Sequence, residues 1–215
     1  MDINLSLGIN TKVDAINRVL EAIGSVGINS EEEIDWNIDA SDASALIDAM
    51  SQEIQTNMGK GWWFNREAFH KLVPDPVTGY VVVPNNTLSC RITRNDDGSV
   101  IPVTLRGTTL FDSENLGYDM RSLVNSAGVL PCVLVVNLTF EFLPATAKHA
   151  ITNAARFWVV NDKEGDQVKM GSLKQAADAS YAAMMAENNG QRRRNMFNNK
   201  NINRAVHYAG GYNNN

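Results

Sequence analysis

Residues 39–64 constrain the fold more than any other stretch, because a helical pattern there runs into two glycines and a cluster of aromatic residues. Apolar side chains recur at spacings of three and four, which places them on one helical face; they are Ala43, Leu46, Ile47, Met50 and Ile54. We expect Asp39 or Ser41 to cap the start of this helix, and Gly59 and Gly61 to mark its end.

The aromatic run that follows favours a change from helix to extended chain. Trp62, Trp63 and Phe64 come directly after the second glycine. Large aromatic side chains at such a junction are usually core anchors, so we predict that they are buried, with a subunit contact as the alternative.

Three other segments are predicted to be helical. Asn10 or Thr11 is expected to cap a helix from about Lys12 to Ile23. Pro144 suits the first turn of a third helix, whose apolar face is predicted to hold Ala147, Ala150, Ile151, Ala154, Phe157 and Trp158. The fourth is predicted from about residue 173 to residue 188, with Met184 and Met185 as core residues or as a partner surface.

Between the second and third helices the pattern alternates, which indicates strands. We predict β structure at residues 80–83, 88–92, 101–105 and 133–142. The Asn-Asp-Asp-Gly sequence at residues 95–98 is typical of a hairpin turn.

These patterns predict an α+β protein with five parts. A four-helix bundle is expected from residues 10–60 and 144–188, with an antiparallel β domain inserted at residues 61–143. Extended arms are expected at residues 1–9 and 189–215.

The charge is distributed unevenly. The formal net charge is −5, from 19 Lys and Arg residues and 24 Asp and Glu residues. Five of the cations follow Glu187 and none of the acids does, so residues 1–187 carry 14 cations against 24 acids, a net charge of −10. An acidic body with a basic C-terminal segment is the result.

The C-terminal segment holds the candidate partner-binding residues: Arg192, Arg193, Arg194, Phe197, Tyr208 and Tyr212. It has too few apolar residues for a core of its own. Either it is a solvated tail, or it is an arm that becomes ordered on a neighbouring chain, with the arginines as charge anchors and the aromatics as apolar anchors.

No pattern in the sequence predicts catalysis, a metal or a cofactor. The Gly59-Lys60-Gly61 triplet lacks the remaining residues of a P-loop, and no zinc or hydrolase motif occurs. Cys90 and Cys132 are predicted to be reduced core residues, with a disulfide as the alternative. The acids of residues 31–35 are predicted to form a solvated loop, with a cation site as the alternative.

Nothing predicts a membrane anchor or a signal peptide either. The most apolar segment, residues 132–143, is shorter than the roughly 20 residues that span a bilayer, and it contains Asn137 and Glu141.

Five segments, in this order, resemble the tail tubular protein A family of head-to-tail adaptors from short-tailed bacteriophages. They are VDAINRVLEAIGSVGIN (residues 13–29), the helix beginning at DASDASAL, QTNMGKGWWFN (55–65), RGTTLFDSENLGYD (106–119) and LPATAKHAITNAARFW (143–158). The chain departs from the family pattern in residues 111–131 and in its Asn-rich tail.

The resemblance implies a structural virion protein of the tail, assembled in the host cytoplasm, and not an enzyme. It implies a homo-oligomeric ring of twelve copies that contacts the portal protein and the tail nozzle protein, with tail fibres as an open further partner. Double-stranded DNA would pass through the ring without sequence-specific binding. With the resemblance, an ordered C-terminal arm is favoured over a solvated tail.

Two alternatives come from other functional classes. The basic segment with Phe197 and Tyr208 could bind nucleic acid through phosphate contacts and base stacking. A glycan hydrolase would use paired acids, such as those of residues 31–35 or Asp96 and Asp97. The acidic body disfavours the first alternative, and solvated acidic loops are the ordinary explanation for the second.

Overall fold

The computed structural model describes residues 8–93 and 100–197, and it confirms the α+β class. The α-helices are α1 (Lys12–Ala22), α2 (Ile38–Thr56), α3 (Ala145–Lys163) and α4 (Gln167–Phe197). Short 3₁₀ helices lie at Glu31–Trp36, Asn57–Gly59, Arg121–Leu123 and Phe140–Phe142.

The strands lie between α2 and α3 in the sequence. They are β1 (Arg66–Leu72), β2 (Thr87–Thr93), β3 (Val100–Ile101), β4 (Val103–Arg106), β5 (Thr109–Asp112) and β6 (Leu130–Val136). One sheet has the order β1-β6-β2-β3, with every pair antiparallel, and β4 pairs with β5 in a separate two-stranded sheet.

The helices share one apolar core, and α3 lies at its centre. It packs against α1, α2 and α4, and its buried side chains include Ile151 and Val160. At the end of α3, Lys163 Nζ forms ion pairs with Asp39 and Asp42 of α2, at 2.6 and 3.0 Å. The two carboxylates raise the pKa of Lys163, by hydrogen bonding first and by charge second.

The strands enclose a second apolar core, which includes Ile92, Leu110, Leu130 and Leu134. Leu138 is partly buried against both cores. The connection between β6 and α3 therefore lies at the boundary between sheet and helices.

Both ends of α2 differ from the prediction. The N-cap is Asn37, whose Oδ1 accepts a hydrogen bond from the Ala40 amide, and not Asp39 or Ser41. Asp39 instead accepts from the Ser25 hydroxyl and from Lys163. The helix ends at Thr56, before the glycines, because Asn57 takes up the left-handed conformation with φ +43°, which asparagine tolerates better than most residues.

The predicted helix α1 is confirmed to within one residue, with Thr11 as its cap. The predicted apolar face of α3 is partly wrong. Ala155 is fully buried where Ala154 was expected, and Trp158 is 44% exposed. The buried face also takes in Lys148, whose ammonium donates to the carbonyl of Asn10 at 2.7 Å.

Helix α4 is longer at both ends than predicted. It begins at Gln167, because the Asp166 carboxylate accepts hydrogen bonds from the amides of Val168 and Lys169. It continues through Phe197, so the first nine residues of the segment expected to be an extended arm are helical. Met184 is fully buried, which confirms a core role for it.

The predicted strands are corrected in three places. The last strand stops at Val136, and residues 140–142 form a 3₁₀ helix in which Phe140 is buried. Residues 80–83 contribute only an isolated bridge between Val82 and Thr109. Strands β1 and β5 were not predicted. The expected turn at residues 95–98 lies outside the described residues, although β2 and β3 pair as expected.

Cys90 and Cys132 are free thiols, which confirms the prediction against a disulfide. They lie on the neighbouring strands β2 and β6, where the nearby Cys132 thiol and burial raise the pKa of Cys90, and Cys132 Sγ donates to the His70 carbonyl at 3.4 Å.

Candidate assembly interface

The segment QTNMGKGWWFN forms the joint between helices and sheet. Gln55, at the end of α2, is fully buried. Its Nε2 lies 2.9 Å from Ser51 Oγ, Asn137 Oδ1 and the Leu138 carbonyl, three acceptors that share its two N–H donors, and its Oε1 accepts from the Leu138 amide at 2.8 Å. One side chain thereby ties α2 to the chain that leaves the sheet.

Asn65 completes the joint where the chain enters the sheet. Its Oδ1 accepts from the Trp62 amide at 2.8 Å, and its Nδ2 donates to the carbonyls of Gln55 and Val136 at 3.0 Å. The indole of Trp62 is fully buried, donates to the Ile54 carbonyl and meets Tyr181 of α4 edge-on at 5.7 Å. The core role predicted for Trp62 is confirmed, and every buried polar atom of the joint named here has a partner.

The segment RGTTLFDSENLGYD begins at the last residue of β4 and contains the hairpin turn, β5 and the turn after it. The Arg106 guanidinium lies 3.4 Å from the centre of the Phe111 ring, an arrangement that stabilises both side chains. Asp112 is buried. Burial would raise the pKa of its carboxyl, but hydrogen bonds from the Asn115 side chain and from the amides of Asn115 and Glu114 hold that pKa below its ordinary value.

A second fixed turn lies next to it. Arg121 Nε donates to Asp119 Oδ1 at 2.9 Å, and the bond to this guanidinium lowers the pKa of Asp119 to about 2. Gly79, at φ +75°, packs so closely that an added Cβ would lie 2.0 Å from Asp119 Oδ1. Glycine is strongly favoured there, because a side chain would displace the Asp119 carboxylate and would strain the backbone.

The most exposed large side chains belong to short connecting segments rather than to the cores. Trp36 is 89% exposed and Ile38 is 81% exposed. They follow the acids of the first 3₁₀ helix, of which Glu31, Glu32 and Asp35 are exposed. No carboxylate of that 3₁₀ helix has an ion pair or side-chain hydrogen bond within the described part of the chain. We call residues 31–38 the acidic knob.

Two further exposed residues have strained backbones. Met58 is 92% exposed at φ +52°, and Phe69 is 87% exposed at φ +67°. Phe69 lies at the irregularity in the β1–β6 register, on an edge strand of the four-stranded sheet. A non-glycine residue with positive φ is uncommon, and strain of this kind concentrates at contact and functional sites.

The predicted partner-binding residues are only partly described. Arg192, Arg193, Arg194 and Phe197 lie on the last turns of α4, so four of the six share one helix. Tyr208 and Tyr212 lie outside the described residues. The knob and the joint were not predicted as functional parts. The acidic knob had a sequence signal, a tryptophan directly after four acids within five residues. The joint had none, because it depends on hydrogen bonds from Gln55 to Asn137 and Leu138, which lie 82 and 83 positions further along the chain.

The described residues offer no metal site and no membrane span. Across residues 8–93 and 100–197, no three His, Cys, Asp or Glu side chains lie close enough together to hold a metal ion. None of the helices in those ranges combines the length and the apolar character that crossing a bilayer requires.

Comparison with known proteins identifies one family. The model of the family described as tail tubular protein matches residues 13–194, from the first turn of α1 to the last turns of α4. No curated protein matches the chain.

Proposed function

This chain belongs to the tail tubular protein family, a family of structural rather than enzymatic phage tail proteins, and on that premise we propose that it is a head-to-tail adaptor. Twelve copies form a ring that joins the portal protein to the tail nozzle protein and leaves a channel for the genome. The observation that carries the proposal is the extent of the match, since residues 13–194 cover α2, α3, both described sheets, and all but the first residue of α1 and the last three of α4.

The exposed side chains support a role in assembly. Trp36, Met58 and Phe69 are each more than four-fifths exposed, and burying aromatic and methionine side chains is typical of protein interfaces. In the proposed ring these residues are buried between copies or against the partners, which would remove their apolar surface from water.

The helices supply the body of the ring in this proposal. We propose that α1 to α4 act as a four-helix bundle, with α3 as its centre, and that the segments beyond the bundle reach neighbouring chains. Arg192, Arg193, Arg194 and Phe197 would then present the end of α4 to a partner, and Tyr208 and Tyr212 would extend the contact.

The acidic body suits a channel through which DNA moves. Residues 1–187 carry a net charge of −10, and an acidic wall repels phosphates rather than holding them. Double-stranded DNA therefore passes without sequence-specific binding. In this proposal the ring assembles in the host cytoplasm, before the tail is complete.

The test is electron microscopy of the purified chain mixed with the portal protein of the same phage. A twelve-fold ring on the portal is the expected result. A chain that stays monomeric with the portal and with the nozzle protein refutes the proposal.

The same preparation tests nucleic-acid binding as the alternative. A salt-sensitive affinity for DNA that disappears in the variant Arg192→Gln, Arg193→Gln, Arg194→Gln, without ring formation, would support the alternative. Glutamine keeps good helix propensity, so this variant tests charge while preserving α4. Deleting residues 198–215 tests, in the same DNA-binding assay, whether the rest of the C-terminal segment contributes to the affinity.

A further inference from the structure

A pocket rich in cations lies between α1 and α3. It is lined by Ile9, Arg18, His149, Thr152, Asn153 and Arg156, and it has a volume of about 160 Å³. No Asp or Glu lines it, although acids outnumber cations by 24 to 14 in residues 1–187. We call it the basic pocket.

The arginines of the basic pocket are incompletely paired. Arg156 Nε is buried and has no hydrogen-bond partner among the described residues, and Nη1 reaches only Asn153 Oδ1, at 3.4 Å. Arg18 Nη1 pairs with Glu21 at 3.2 Å, with the two side chains 46% and 63% exposed, and pairs with this much solvent contact contribute little. The buried Lys148 ammonium, bonded to the carbonyl of Asn10 beside Ile9, adds positive charge nearby.

These groups specify an oxyanion as the ligand. Guanidinium groups bind carboxylate and phosphate through paired N–H donors, and the Asn153 amide and the exposed His149 ring offer further polar contacts. A buried guanidinium nitrogen without a partner is costly, so an entering oxyanion would recover that free energy. The volume accommodates a carboxylate with several waters, because one water needs only about 10–15 Å³ of such space.

The acidic knob supplies the complementary group on the same chain. Its carboxylates lack partners, and Trp36 and Ile38 beside them are almost fully exposed. No ion pair joins the knob to Arg18 or Arg156 within one chain. Two oppositely charged surfaces that do not meet within the protomer are what a head-to-tail contact needs, and such contacts close into rings where the rotation between copies closes.

We propose that the basic pocket of one copy binds a carboxylate of the acidic knob of a second copy. This inference rests on the proposed ring, and it names two surfaces that meet between neighbouring copies. The contact buries Trp36 and Ile38 as apolar anchors beside the ion pair.

The experiment is a charge exchange in the full chain, with assembly on the portal followed by mass photometry. Arg156→Glu, and separately Glu31→Lys with Glu32→Lys, should each raise the concentration that gives half-maximal assembly by about tenfold. The variant with all three changes should recover most of that loss, because the new carboxylate at position 156 then faces the new ammonium groups at positions 31 and 32. Arg91→Glu and Glu53→Lys, at exposed positions outside both surfaces, are the matched controls and should change nothing.

The melting temperature of each variant separates misfolding from lost contact, and Arg156→Gln provides a milder second variant for the same site. An adaptor that assembles normally with Arg156→Glu refutes the inference and leaves the proposed function intact. Failure of the triple variant to recover also refutes it. Wild-type protein that never assembles on the portal refutes the ring. If the sedimentation coefficient of the isolated chain is then the same for wild type and for the charge variants, the contact between copies is refuted as well.

Inorganic phosphate tests a free anion as the occupant. Phosphate that raises the melting temperature of wild type but not of Arg156→Gln, while assembly ignores the charge reversals, would assign the pocket to a free oxyanion and overturn binding by a second copy.

Discussion

Replacing Gln55 with leucine should test how strongly the joint between helices and sheet is held. Leucine has a similar size but removes both donors and the acceptor, so the Leu138 amide loses its partner at 2.8 Å and the 2.9 Å bonds to Asn137 and Ser51 disappear. A buried group left without a partner costs about 1–3 kcal/mol, and each lost bond adds about 1 kcal/mol. Leucine's greater apolar burial offsets about 1 kcal/mol of this.

The expected net loss is about 3 kcal/mol in the free energy of unfolding. For a chain of this size that lowers the melting temperature by about 6–12 °C. Urea unfolding monitored by circular dichroism, together with calorimetry, measures both quantities. The matched control is Gln52→Leu, the same change at an exposed position of the same helix, which should stay within about 0.5 kcal/mol of wild type.

Equal stability of the two leucine variants would refute the reasoning, because it would mean that the buried amide contributes nothing.

The variant Gln55→Glu tests the direction in which the stability should change with pH. Burial should raise the folded-state pKa of the new carboxyl above its unfolded value of about 4.3. The variant is therefore closest to wild type at low pH and falls further behind as the pH rises through the raised pKa.

Three more outcomes are expected. Gly79→Ala should cost about 3 kcal/mol, because the methyl group meets Asp119 at φ +75°, whereas Gly107→Ala, with φ +61° and open space, should cost about 1 kcal/mol; equal losses in urea unfolding would contradict this. The ionised Asp119 carboxylate, whose pKa is lowered to about 2, stabilises the folded state above a pH of about 4, and this contribution is lost as the pH falls towards 2. Asp119→Asn should therefore make the free energy of unfolding depend less on pH between about 4 and 2. Trp36→Ser should leave the melting temperature unchanged while reducing assembly on the portal, since the side chain is 89% exposed; lost stability would instead assign Trp36 to the fold.

The sequence predicted elements whose signals are local. Thr11 caps α1 through contacts within three residues, and Pro144 precedes α3 because its fixed φ suits a helix start. The burial of Trp62 was also predictable, since a large aromatic after a glycine turn is most often a core anchor.

Other elements depend on distant contacts and were missed. The irregular register near Phe69 breaks the alternation of β1 that would have revealed a strand. Residues 189–195 extend α4 without apolar side chains, so no apolar stripe marks them, although arginine and glutamine are good helix formers. The basic pocket joins residue 18 to residues 149–156, a proximity that only the packing of α1 on α3 creates.

The joint at Gln55 and Asn65 has a consequence for how the family diversifies. The chain enters the sheet region beside Val136 and leaves it beside Leu138, so both crossings lie at one place. Everything between them is an insertion in the helical body that contacts α2 through β2 and β6, and we expect its segments away from those two strands to vary in length without moving a helix. Residues 111–131 lie inside that insertion. We expect lineages to vary there freely while the glutamine and asparagine at its base stay fixed, which makes the sheet region an exchangeable module on a constant frame.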